Sequence, residues 1–309
     1  MDTDNMQRRA PLEGMKPSQH FFFLIGMFIL CFILSNVLAL VCMNRIAHLS
    51  IMQMEQLDFS RPEVLLATEV GQILGAIVVF FIPVIVYTAL VSRNRSEYLT
   101  LNTGLKFSSL LIGGIAILVA GPLINYTAAL NEKFPFPDFI KHLQEAADKE
   151  QIAFLKDQGI SRLILNLFMI GVLAAVGEEL FFRALLQRIF IKWTKSVHIG
   201  VWVTGIVFSM AHFEFLGFIP RMLLGVYLGY LFVWSGSIWV PIFAHFVNNA
   251  SGVLISYLED QKVVSKGIED FGSKSGDITY VIVSTVLVGL MMFAIYRIQG
   301  KKVSPLAIS

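Results

Sequence analysis

The stretch LILNLFMIGVLAAVGEELFFRALL, Leu163–Leu186, is apolar over a length that crosses a bilayer, yet it holds Glu178, Glu179 and Arg183 near its C-terminal end. A membrane-spanning helix needs about 20 apolar residues. A charged side chain at mid-span costs roughly 2.5–3.5 kcal/mol even on insertion-based scales, so ionisable groups kept there are usually functional. On a helix, Glu179 and Arg183 are i, i+4 with the carboxylate N-terminal, the order that favours their pairing. Glu178 projects about 100° further round and has no local cation, which leaves it for another role.

The rest of the chain is of the same kind. Its 309 residues are 56% hydrophobic and only 15% charged, with a mean hydropathy of +0.70. A soluble domain averages about 25% charged residues, so the composition specifies an all-α polytopic membrane protein. A net charge of +2 spread over short loops excludes a nucleic-acid partner; the lipid bilayer is the expected surrounding. Cys31 and Cys42 lie in one apolar run, about 16 Å apart along a helix, too far for a mutual disulfide. The stretch from Phe21 to Met43, preceded by Arg8, Arg9 and Lys16, is longer than the apolar core of a signal peptide and is expected to be retained as a first span.

Eight apolar stretches are expected to form about eight transmembrane helices: Phe21–Met43, Val70–Val91, Phe107–Leu130, Leu163–Leu186, Val197–Ala211, Met222–Trp234, Ile238–Tyr257 and Ile278–Ile298. The fifth and sixth are short, which predicts helices that are tilted, broken or buried among neighbours rather than facing lipid. Pro83 and Pro122 are expected to kink the second and third. Gly71/Gly75 and Gly225/Gly229 form two GxxxG patterns, read as helix-packing contacts. Between Asn131 and Arg162 the spacing of Phe136, Phe139, Leu143, Ala146, Ala147, Ile152 and Leu155 predicts an amphipathic helix on the membrane surface or over a cavity mouth. The basic residues of the tails and short loops, among them Arg8, Arg9, Lys16, Arg188, Lys192, Lys301 and Lys302, favour cytoplasmic termini. The chain reads as a single integral-membrane domain, 1–309, with a chemical core at about 163–257.

Two later stretches bring the polar partners. The fifth ends in Phe208-Ser-Met-Ala-His212, and the seventh contains His245-Phe-Val-Asn-Asn249, so that Phe208 with His212, and His245 with Asn249, share a helix face. Lipid offers no hydrogen bonds, so these groups must find partners inside the bundle. Glu, His, His and Asn gathered by three helices suit hydrolysis of an amide. A Glu with a His can hold and deprotonate a water, and a second His with an Asn can donate to the oxyanion. Taken singly, Glu179–Arg183 also reads as a structural staple, the histidines as satisfied interior residues and Asn249 as a helix bridge. Glu214 reads as interfacial, and His20, His48, His142 and His198 as loop or rim residues.

Glu178-Glu179-Leu-Phe-Phe-Arg183, Phe208-Ser-Met-Ala-His212 and His245-Phe-Val-Asn-Asn249 resemble the EExxxR, FxxxH and HxxxN motifs, in that order, of the CAAX prenyl endopeptidase and bacteriocin-processing family (CPBP, or Abi). The resemblance covers about Leu163–Tyr257 and no motif position departs from it. It implies an intramembrane, glutamate-dependent protease in which Glu178 and His212 activate water and His245 and Asn249 form the oxyanion hole, with Glu179, Arg183 and Phe208 in support.

No cofactor is expected. A metal-dependent alternative would use Glu178, His212 and His245 as Zn²⁺ ligands with a fourth position for water, although the chain has no HExxH. The implied partner is a membrane-associated or lipidated protein or peptide substrate. A different class of reading remains open: a non-catalytic immunity or scaffolding protein that binds a peptide in the same cavity. A proton relay or transporter is disfavoured by the lack of repeated halves.

Overall fold

A computed structural model describes residues 10–55, 57–156, 159–265, 267 and 271–299. Arg8, Arg9, Lys301 and Lys302, on which part of the orientation reading rests, lie outside the described residues. Every regular element among the described residues is helical, and the chain is an all-α polytopic membrane protein. The long helices are α1 (Pro17–Ile46), α2 (Pro62–Val91), α3 (Phe107–Val119), α4 (Gly121–Asn131), α5 (Asp138–Leu155), α6 (Ile160–Thr194), α7 (Val197–Met210), α8 (Phe218–Ser235), α9 (Trp239–Asp260) and α10 (Ile278–Gln299).

All eight apolar stretches are helical, but their number as crossings is a different matter. Among the described residues five helices are long and apolar enough to span a membrane, six if the bent pair α3–α4 crosses as one span. At 14 residues α7 is short, and α9 is diluted by its polar inner face. Helix α8 corrects the expectation of a short sixth stretch: it starts four residues earlier, at Phe218, and with the turn before it reaches 21 residues. Helix α7 corrects the expectation of burial. Ile199, Trp202, Ile206 and Met210 form one exposed apolar face, while Gly200, Val201, Thr204, Gly205 and Phe208 pack inward. Exposed apolar faces of this kind also run along α1 (Ile29, Ile33, Val37) and α10 (Ile282, Val286, Leu290), and lipid is the solvent that suits them.

The two prolines act differently. The helix is interrupted at Ala120, Pro122 occupies the first turn of α4, and α3 and α4 meet at 47°. Ahead of Pro83, α2 widens into a π-helical turn, Ile77–Phe81, and continues as one span. A wider turn accommodates the missing N–H without ending the helix.

Helix α6 is the axis of the bundle, buried without interruption from residue 177 to residue 191. Both GxxxG patterns face a neighbouring helix, and Gly225/Gly229 is the tighter of the two. A Cβ on Gly225 would lie 2.9 Å from the Cα of Gly205, and one on Gly229 would lie 2.7 Å from Gln187 Oε1. A Cβ on Gly71 would stand 3.4 Å from the Cα of Ala39, so α1 and α2 also approach closely there.

Helix α5 is the expected amphipathic helix. Gln72 of α2 donates to Glu150 at 2.6 Å, and Asn166 of α6 donates to the carbonyl of Phe154 at 2.8 Å. Its C-terminal half thereby lies over a cavity between the α1–α2 pair and the α6, α8 and α9 wall.

Candidate active site

Two π-helical segments of α6, Leu167–Leu173 and Leu180–Gln187, bracket the α-helical stretch Ala174–Glu179. Such widened turns re-aim side chains and are frequent at functional sites. Gly177 lets α2 come in beside the acidic pair, since a Cβ there would lie 2.8 Å from the ring of Phe81.

Glu179 and Arg183 are both fully buried. Arg183 Nη1 stands 2.9 Å from Glu179 Oε1, close enough for an ion pair though not aligned as a hydrogen bond. Nη2 donates to the carbonyl of Gly225 at 3.3 Å, and the guanidinium lies 4.5 Å from the centre of the Phe208 ring. Glu179 Oε1 also accepts the Nδ1–H of His245 at 2.9 Å. A buried guanidinium demands such company, because an isolated charge in low dielectric is expensive.

Glu178 points the other way, into the cavity. Its Oε2 is buried without a hydrogen-bond partner and lies 3.9 Å from Nε2 of His212 and 3.9 Å from Nε2 of His245. The Nδ1 of His212 faces the carbonyl of Phe208 at 2.8 Å, one turn back on α7. Both Nδ1 atoms face acceptors, a carbonyl and a carboxylate, so both carry the hydrogen and both Nε2 lone pairs face Glu178. A separation of 3.9 Å exceeds a direct hydrogen bond. Three acceptor atoms facing one another at that distance suit a bridging water, whose protons satisfy two of them.

Asn249 Nδ2 donates to the carbonyl of Ile170, in the first π-helical segment, at 2.8 Å, and Asn248 Nδ2 donates to Asn249 Oδ1 at 3.0 Å. Both asparagines line the cavity, which has a volume of about 1540 Å³ and also receives Phe208 and the apolar side chains of Phe28, Phe32 and Phe80. Glu214 forms an ion pair with Arg221, and both line this cavity.

The alternative ligand set of Glu178, His212 and His245 is brought together, with Glu178 Oε2 3.9 Å from each histidine Nε2. Ligand atoms roughly 2.1 Å from a tetrahedral zinc stand within about 3.4 Å of one another, closer than the 3.9 Å found here. Among the described residues no group of three His, Cys, Asp or Glu has an arrangement that could hold a metal ion.

The other histidines lie away from the cavity. His20 pairs with Tyr87 OH at 2.9 Å, His198 with Tyr230 OH at 2.7 Å, and exposed His142 with Glu145 at 3.5 Å. Arg188, counted in sequence as a loop charge, is buried: it donates to the carbonyl of Tyr98 and lies 4.3 Å from that ring.

Three contributing residues escaped the sequence reading. Gln187, one turn beyond Arg183 and fully buried, donates to the carbonyl of Gly229 at 3.1 Å and repeats the clasp of Arg183 on Gly225. Its i, i+4 position after Arg183 on a buried face was the available signal. Buried Asn131, at the end of α4, donates to the carbonyls of Phe215 and Leu216 at 2.8 and 2.7 Å and accepts from Ile219 N at 3.1 Å. It thereby fixes the turn that follows His212. Nothing local in the sequence signals this. Asn248 was legible only as the neighbour of a motif residue.

Fold and site together define an integral-membrane helical protein with a glutamate–histidine cluster facing an internal cavity. Residues 160–251, which contain Glu178, His212, His245 and Asn249, match the model of the type II CAAX prenyl endopeptidase Rce1-like family, a family of peptidases, in agreement with the resemblance read from the motifs. The uncharacterized protein YpbD of Bacillus subtilis (strain 168) is 32% identical over 93 residues, which are 29% of this chain and 44% of the relative. The chain therefore covers less than half of that relative's length. No solved structure matches the chain.

Proposed function

We propose that the chain is an intramembrane endopeptidase that hydrolyses a peptide bond of a membrane-associated or lipidated protein or peptide, with Glu178 and His212 activating the water and no metal taking part. The observation that carries this reading is the convergence of the His212 and His245 Nε2 atoms on the unpartnered Glu178 Oε2, 3.9 Å from each, in the wall of a large cavity. A water held between Glu178 and His212 loses a proton to the carboxylate as its oxygen bonds to the scissile carbonyl carbon. Negative charge then develops on the carbonyl oxygen. Asn249 supplies an Nδ2–H to it, and His245, after its Nε2 lone pair has taken up a proton from the medium before the substrate binds, supplies Nε2–H while Glu179 accepts the proton on Nδ1. The proton taken from water passes to the leaving nitrogen, the C–N bond breaks, and Glu178 is again a carboxylate.

The bundle is proposed to sit in the plasma membrane with both termini cytoplasmic. The test compares protein termini in membranes of cells carrying the wild-type protein and cells carrying Glu178→Ala at equal abundance. Termini that occur only with the wild type support the reading and reveal the substrate. Identical termini in both, together with wild-type cellular function of Glu178→Ala, reject catalysis in favour of a peptide-binding role.

A further inference from the structure

Asn248 and Asn249 are consecutive on α9, where neighbouring side chains project about 100° apart. Both nevertheless line the cavity, and their amides meet, with Asn248 Nδ2 donating to Asn249 Oδ1 at 3.0 Å. Asn249 Nδ2 in turn donates to the carbonyl of Ile170 at 2.8 Å. A primary amide is nearly symmetric in shape, but one end accepts and the other donates. Turned over, the Asn249 amide would set its oxygen against the Ile170 carbonyl and its NH₂ against that of Asn248. The clash with the Ile170 carbonyl is unavoidable, because a backbone carbonyl only accepts, and the bond to Asn248 is kept only if that amide turns over as well. The Ile170 carbonyl therefore selects the orientation of Asn249, Asn248 tethers its oxygen end, and the second Nδ2–H is left for another acceptor.

We infer that Asn248, outside the three motifs, is a positioning residue that holds the Asn249 amide with this free N–H toward the oxyanion; the inference rests on the peptidase reading above. An oxyanion donor acts as charge develops and is sensitive to small errors of placement. Loss of Asn248 therefore reduces turnover and leaves ground-state binding intact. The half-buried position on the cavity wall also means that little packing is lost with the side chain.

The test uses full-length protein in liposomes and a quenched fluorescent peptide spanning a cleavage site mapped by the termini comparison. Asn248→Ala is expected to lower kcat about 10- to 100-fold with KM within about twofold and an unchanged melting temperature. Asn248→Asp preserves the shape but, ionised, cannot donate. Its activity relative to wild type is expected to be low at pH 7 and to rise at least about fivefold toward pH 4.5, where a protonated carboxyl regains an O–H donor. A wild-type kcat in Asn248→Ala, a flat pH ratio for Asn248→Asp, or parallel loss of kcat, KM and melting temperature overturns the assignment. Cleavage that persists in Glu178→Ala overturns the peptidase reading itself. Cleavage lost in Glu178→Ala but normal in Asn248→Ala removes the Asn248 assignment alone.

Discussion

His245 of α9 donates to Glu179 Oε1 of α6 at 2.9 Å, and Arg183 reaches the same oxygen at 2.9 Å from one turn along α6. One buried carboxylate oxygen thus orients an imidazole of the cavity wall and neutralises a guanidinium that has no solvent exposure. Its neighbour Glu178 shares neither duty. Adjacent glutamates of identical chemistry are assigned opposite tasks by the helix faces on which they lie.

That division predicts opposite phenotypes. Glu178→Ala removes a carboxylate whose Oε2 has no hydrogen-bond partner, so no buried group is orphaned. Cleavage is expected to fall at least about 1000-fold while the melting temperature in detergent stays within a few degrees. Wild-type cleavage by the variant would falsify the role of Glu178.

Glu179→Ala, in contrast, leaves Arg183 as a buried charge without its counter-ion. Such losses cost about 3–5 kcal/mol, whereas replacing both partners with apolar groups is far milder. Glu179→Ala is expected to melt or aggregate, and Glu179→Leu with Arg183→Met to recover much of the stability while remaining inactive. A double variant no more stable than the single one contradicts the pairing.

The glycines separate by what a methyl group would meet. Gly225→Ala sets Cβ 2.9 Å from backbone, Gly205 Cα, which cannot swing aside, and a destabilisation of about 1–3 kcal/mol is expected. Gly75→Ala finds its nearest neighbour, Ser35 Cβ, at an ordinary 3.7 Å, so no loss is expected and a gain of up to about 1 kcal/mol from helix propensity. Unfolding of the two variants side by side in detergent checks the order; equal stability of both contradicts it.

Asn131 lies outside the motifs and outside the family match, yet it holds three backbone groups of the turn after His212. Asn131→Ala orphans these groups, at about 1 kcal/mol or more for each one buried. Asn131→Asp keeps the acceptor for Ile219 N but loses the donor to Phe215 and Leu216, and is expected to fare no better than alanine. Hydrogen exchange across residues 212–219 reads this directly, and unaltered protection in both variants rejects it.

The helices were legible in the sequence because local apolar periodicity encodes them, and the eight stretches all fold as helices. Their number as crossings was not, since the roles of α7 and α9 depend on what packs beside them. Among the candidate site residues, the pairing of Glu179 with Arg183 follows from i, i+4 geometry and was readable in advance. The acceptance by Glu179 of the His245 Nδ1–H was not, because it joins residues 66 positions apart in the chain. Likewise the placement of α5 over the cavity rests on Gln72–Glu150, a contact across 78 residues, and the burial of Arg188 rests on Tyr98, 90 residues away.

The sequence by itself determined a bilayer-embedded helical chain and the residue types available for chemistry, because hydrophobic length and helical spacing are local properties. Only the tertiary structure decided what surrounds Glu178 in the cavity, that Glu179 also takes the His245 Nδ1–H, which nitrogen of each histidine is free, and how closely backbone approaches each glycine. Those outcomes depend on distances between helices. In a medium that offers no hydrogen bonds, each buried polar group takes the partner that packing brings within reach.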